Sequence, residues 1–349
     1  MAKRLTGLLT PIIAVLLGII VGTIIMLVSG YDPVAAYTAL WNGAFGDIYY
    51  VGEVIRQFTP YILAGLAVAF AFRVGLFNIG VEGQFIVGWL AAVWVGVAFD
   101  LPKIIHLPLA ILASIVAGAI WAFIPGLLKA RFRVHEVIVT IMMNYVALHA
   151  TNYIIRNYLA AKSGDKTEPI HQTASLRSEW LESLTDYSRL HWGIVLAIAC
   201  CFIMWFLLEK TTRGFELRAV GFNQDAAQYA GMNVNRNIIL SMVISGAFAG
   251  LAGAMDGLGT FGYAAVKGGF TGVGFEGIAI ALLGANSALG VFFSAILFGA
   301  LKVGSLNMPL EAGVPNELVN IIIALIVFFV ASSYIIRVFL DRFNKKGVK

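Results

Sequence analysis

The chain has 349 residues, 60% apolar and 12% charged, against about 45–50% and about 25% in a soluble domain, which excludes an ordinary water-soluble fold. Its net charge of +5 excludes little by itself, but the basic residues lie in short segments between apolar stretches rather than in a patch with interleaved aromatics. That is membrane topology, and no nucleic-acid partner is expected.

A hydrocarbon core about 30 Å thick needs about 20 helical residues. Lys3 and Arg4 precede an apolar run from Pro11 to Val28. It is longer than a signal-peptide core of about 7–15 residues and has no small-x-small cleavage site after it, so it is expected to be a retained first span near 10–29. Further spans are expected near 57–74, 80–99, 106–128, 136–158, 191–208, 238–258 and 317–337, with an apolar tract over 274–305. Cys200 and Cys201 sit together inside one span, where they imply packing rather than a disulfide framework or a metal set.

The tract decides the count. Read as one helix, it puts the two termini on opposite faces, although both are basic: Lys3 and Arg4 at one end, Arg337, Arg342, Lys345, Lys346 and Lys349 at the other. A turn at 284–290 splits it and gives about ten spans with both termini in the cytoplasm, as the positive-inside tendency requires. Arg73, Lys129, Arg131, Arg133, Lys210, Arg213, Arg218 and Arg236 then fall inside, and the Lys/Arg-free loop 31–55 falls outside. The polar segment at about 160–190 mixes Lys162, Asp165, Lys166, Glu168, Arg177, Glu179, Glu182, Asp186 and Arg189, whose signs nearly cancel. It reads as an extracytoplasmic loop, either a docking surface or a solvated linker.

Residues 75–86 repeat at 269–280: Gly75, Gly80, Glu82, Gly83 and Ile86 match Gly269, Gly274, Glu276, Gly277 and Ile280. Gly80 opens its span on the cytoplasmic side and Gly274 on the outer side, the trace of an inverted repeat with halves at roughly 57–158 and 238–337. Such paired glycine breaks expose backbone to a polar solute. Glu82 and Glu276 each fall in a first helical turn, where the helix dipole favours a carboxylate. Each either braces its helix or touches solute. Asn78, Gln84, Asn144, Asp256, Asn286 and Asn320 are further polar residues at membrane depth, with interhelical hydrogen bonding as the default role. Neutral amides outnumber charges, which suits an uncharged hydrogen-bonding solute such as a nucleoside or sugar. The candidate solute path is Asn78, Glu82, Gln84, Glu276 and Asn286, and no metal site is expected.

Between the sixth and seventh spans, a cytoplasmic segment at about 209–236 carries Asn223 as a helix cap, Asp225 in the first turn, small Ala226, Ala227 and Ala230, and Gly231 as a left-handed terminator. A short small-faced helix there can press into another protein. The pattern Gly221-x-Asn223-x-x-Ala226-Ala227-x-x-Ala230-Gly231 resembles the coupling-helix signature of the sugar, nucleoside and branched-chain amino-acid permeases of ATP-binding-cassette importers, with Met232 where isoleucine is more usual. Asp32-Pro33-x-x-Ala36-Tyr37-x-Ala39-Leu40-Trp41 and Asn78-Ile79-Gly80-x-Glu82-Gly83-Gln84 resemble the nucleoside-type subgroup.

The resemblance implies an all-α polytopic permease in a bacterial cell membrane, one transmembrane domain over 1–349, working by alternating access. It also implies a second permease, a cytoplasmic ATPase and an extracytoplasmic substrate-binding lipoprotein. The sequence has no Gly-x-x-x-x-Gly-Lys-[Ser/Thr] phosphate loop, so no cofactor is expected in this chain and ATP would be hydrolysed by a partner. A gradient-driven secondary transporter is the alternative, with no reason to keep a coupling segment. An intramembrane enzyme is disfavoured: His106, His135, His149, His171 and His191 are scattered, with no His-Glu-x-x-His pair.

Overall fold

A computed structural model describes residues 2–161 and 164–331. Lys162, Arg337, Arg342, Lys345, Lys346, Lys349 and the end of the last expected span lie outside the described residues. In chain order the helices are α1 (Ala2–Val28), α2 (Pro33–Phe45), α3 (Ile48–Arg73), α4 (Val81–Ala98), α5 (Lys103–Phe132) and α6 (Glu136–Ile154). Then come α7 (Glu179–Leu184), α8 (Gly193–Lys210), α9 (Thr212–Phe222), α10 (Gln224–Tyr229) and α11 (Val234–Ala254). The last are α12 (Val273–Leu283), α13 (Ala288–Gly304), α14 (Met308–Ala312) and α15 (Asn316–Ala331). Wider π-helical turns extend α6 over Ile155–Leu159 and α11 over Met255–Phe261.

Six of the described helices are long and apolar enough to cross a membrane, and four shorter apolar stretches lie in α1, α12, α13 and α15. The tract over 274–305 is divided as expected: α12 ends at Leu283, Ala285 and Asn286 adopt left-handed backbone (φ 49° and 53°), and α13 begins at Ala288. The sequence reading places the start of α3 late, at 57 rather than Ile48, and misses α2, α7, α9 and α14. These are short or polar stretches whose helicity depends on a cap or a packing partner. At α2, for example, the Asp32 carboxylate accepts from Val34 N at 2.8 Å and Pro33 opens the first turn.

The described chain forms two packed units. In the first, made of the residues up to Val54 together with those from Gly299, α1 lies on α15 and α2 on α14. The second, Ile55–Phe298, is built on α4, α5 and α11. Along α5, Ala110, Ser114, Gly118, Ala122 and Gly126 recur every four residues and are all buried. Ile105, Leu109, Leu112, Val116 and Ile120 on the same helix are exposed. Small inside and bulky outside is the arrangement of a helix whose outer solvent is lipid, because close backbone approach is what holds helices together there. A Cβ at Gly250 would strike the backbone of Ser114 and Gly118, and one at Gly88 would strike Gly250, so α4, α5 and α11 meet backbone to backbone.

The segment expected to be an extracytoplasmic loop at 160–190 is no free linker. It runs beside the end of α11, with Thr167 N donating to Ala264 O (2.8 Å), Ile170 N to Gly262 O (2.9 Å) and Leu176 N to Leu258 O (3.0 Å). The end of the π-helical turn and the loop after it present carbonyls at Leu258, Gly262 and Ala264, and this segment satisfies them.

Candidate functional site

The two repeated segments meet head to head. The N-terminal turns of α4 and α12 are in contact, and a Cβ at Gly274 would collide with the Glu82 backbone. Each helix N-terminus carries roughly half a positive charge, so such a junction repels itself unless an anion is placed within it. Glu82 is that anion. It belongs to the first turn of α4, is fully buried, and spends its carboxylate on α12. Oε1 accepts from Thr271 N and Thr271 Oγ1 (both 2.5 Å) and Gly272 N (3.1 Å), and Oε2 accepts from Gly274 N (2.7 Å). Of the two roles left open for Glu82, the structure displays bracing, but of the opposite repeat's helix rather than its own.

With its own carboxylate committed elsewhere, α4 is capped by amides. Asn78 Oδ1 accepts from Gly80 N (2.9 Å), and Asn144 Oδ1 on α6 accepts from Gly83 N (2.8 Å) while its Nδ2 donates to Ile79 O (3.0 Å). Asn78 Nδ2 donates to Gln84 Oε1 (3.0 Å) and to Ser245 Oγ on α11 (2.8 Å), and Ser245 Oγ donates to Ala67 O on α3 (2.6 Å). Asn78, Gln84 and Asn144 are all buried, so four helices share one polar knot in which every amide has a partner.

Among the expected path residues, Asn78, Glu82 and Gln84 are thus brought together. Glu276, in the first turn of α12, lies beside the Tyr61 phenol of α3, which also interacts with Gln57. Asn286 is separated from the junction by the whole of α12, 11 residues or about 16 Å, and serves the turn into α13, its N–H donating to Ala281 O (2.8 Å). The loop between the π-helical turn and α12 is held from α4 and α6 as well. Trp89 Nε1 donates to Tyr263 O (3.0 Å), and the Asn152 amide bonds both the N–H and the carbonyl of Lys267 (2.9 and 2.8 Å).

The second candidate site is α10. Asn223 Oδ1 caps it on Ala226 N (2.9 Å), and Gly231 ends it at φ 82°, as the spacing predicts. The alanine face is split. Ala227 is 4% exposed and turned into its own bundle, packed in a cluster with Ala71 of α3, Leu76, Ala130 of α5, Val220 of α9, and Ile238 and Met242 of α11. Ala226 and Ala230 are exposed. The large side chains offered outward are Phe222 and Tyr229, 92% and 95% exposed, which a pattern of small residues does not reveal. Gly221 lies on the turn after α3, where a Cβ would come within 2.7–2.9 Å of the Arg73 and Val74 backbone. Glu209 bridges Arg73 and Arg218, the latter at 2.8 Å. α9 therefore packs on Arg73 and Val74, the residues that lead from α3 towards the start of α4.

The profile of a family described as "Branched-chain amino acid transport system / permease component" matches residues 50–331. The chain belongs to this permease family. It is 67% identical to the guanosine ABC transporter permease protein NupP of Bacillus subtilis, over 99% of both chains. It is 41% identical to the nucleoside ABC transporter permease protein NupB of Lactococcus lactis, over 98% of this permease and 95% of that one. The guanosine ABC transporter permease protein NupQ of B. subtilis is 31% identical over 74% of this permease and 82% of its own length. In this permease the junction and the coupling segment are both inside the matched region.

Proposed function

We propose that this chain is the membrane-spanning subunit of an ATP-driven nucleoside importer. The observation that carries the reading is the near-full-length identity to two nucleoside permeases, joined to a coupling segment whose cap, terminator and inward-packed Ala227 all have a mechanical use. NupP and NupQ are both guanosine permeases of one organism, which favours a pair of different permeases over a homodimer. In this reading a cytoplasmic ATPase receives Phe222 and Tyr229, a lipoprotein delivers solute from outside, and both termini are cytoplasmic. ATP is hydrolysed by the partner subunit.

Glu82, Asn78 and Gln84 hold the α4–α12 junction, and alternating access proceeds by rearrangement around it. Glu276 stands next to solute, and Asn286 controls the turn behind it. The test is to tag the chain, solubilise native membranes gently and identify what co-purifies at near-stoichiometric ratio, then assay nucleoside uptake into vesicles. A P-loop ATPase with a second permease, and uptake that requires ATP, are expected. Uptake by this chain alone, driven by an ion gradient, would replace the importer with a secondary transporter.

A further inference from the structure

A cavity of about 770 Å³ opens where the 169–180 segment crosses the end of the π-helical turn. That size lies within the roughly 300–1,000 Å³ of small-molecule sites. Two aromatic rings line it, Phe261 (40% exposed) and Trp180 (60% exposed). Each lies against a second ring: Phe261 stacks on Trp89 at 5.3 Å and 25°, and Trp180 on Trp192 at 6.0 Å and 11°. Rings supported in this way are preorganised surfaces, with little side-chain freedom left to lose when a ligand covers them.

The polar lining is of both signs, Lys103 and Arg177 with Glu179 and Glu182. Arg177 is fixed: its Nε donates to Gly259 O (2.7 Å) and its Nη2 to Thr260 O, so the guanidinium lies along the end of the broken helix with further N–H donors to offer. A simple anion meets two carboxylates here and a simple cation meets two bases. A neutral, flat solute with donors and acceptors around its edge meets neither difficulty.

We propose that this vestibule is a reception site for the base of a nucleoside, which stacks on Phe261, places its N–H groups against Glu179 and Glu182 and its acceptor edge against Arg177. The proposal rests on the nucleoside-importer reading. The site is separate from the α4–α12 junction but joined to it, because Trp89 against Phe261 belongs to α4 and carries the Lys267 ammonium 3.7 Å from its ring centroid.

The test uses the complete importer in lipid nanodiscs with 8-azidoguanosine as photoprobe, and peptide mapping of the label. Label is expected within 169–182 or 258–262, competed by guanosine and not by ribose. Removing the stacking face with Phe261→Leu is expected to weaken labelling about fivefold to about a hundredfold. If that variant fails to assemble with its partner subunits, Trp180→Leu carries the same expectation. A wild-type importer that transports guanosine but takes the label elsewhere overturns the reception site and leaves the importer reading intact. So does unchanged labelling of Phe261→Leu, including the case where only stimulation by the binding protein is lost, which would make the vestibule a protein-docking face. A complete importer that moves no nucleoside overturns the importer reading itself.

Discussion

The starts of α4 and α12 share a Gly-x-Glu-Gly pattern and differ in chemistry. Gly80, Glu82 and Gly83 repeat as Gly274, Glu276 and Gly277, yet the free N–H groups of α4 go to the neutral amides of Asn78 and Asn144 while those of α12 go to the Glu82 carboxylate. Two positive helix ends in contact have room for one anion between them. Glu82 fills that place, and Glu276 faces Tyr61 instead, so the two matching acids have different partners. A sequence repeat thus specifies the shape of a junction without specifying which copy of a residue supplies the charge.

This comparison can be broken from either side. Glu82→Ala should have the largest effect, about 3–5 kcal/mol of lost stability, because it leaves buried donors and facing dipoles uncompensated. The readout is the yield and thermal midpoint of the purified complex. Glu276→Gln should leave that midpoint nearly unchanged and lower uptake instead. If both acids cost stability equally, the asymmetry is wrong. Asn144→Ala, which uncaps Gly83 N and Ile79 O, should cost about 1–3 kcal/mol, less than loss of Glu82 because only neutral bonds are broken.

Ala227→Leu overfills the cluster between α10 and the spans and should cost about 1–3 kcal/mol, again by thermal unfolding. Tyr229→Ala, on the exposed side of the same helix, should stay within about 0.5 kcal/mol in stability while abolishing stimulation of the ATPase. Similar stability losses in these two variants would mean that α10 does not divide into an anchoring face and a docking face. Glu209→Gln should have the smallest effect, at most about 1 kcal/mol, since its bridge to Arg73 and Arg218 is partly exposed. A larger loss there would show that the bridge holds α9 against α3.

Much of this was legible before any coordinates. Apolar runs about 20 residues long have few alternatives to a membrane helix, so composition and spacing determined the class, most spans and a break within 284–290. The cap at Asn223 and the terminator at Gly231 were legible because helix ends are local chemistry, decided within four residues. The glycines placed the starts of α4 and α12 for the same reason, but not their contact.

What the sequence could not decide were relations between segments far apart in the chain. That Glu82 caps residues 271–274, that Ala227 faces inward while Phe222 and Tyr229 face out, and that the 165–177 segment satisfies carbonyls at 258–264 all depend on which surfaces tertiary packing brings together. A carboxylate in a first helical turn has the same local pattern whether it serves its own helix, another helix or a solute. Only the position of α12 against α4 selects among them.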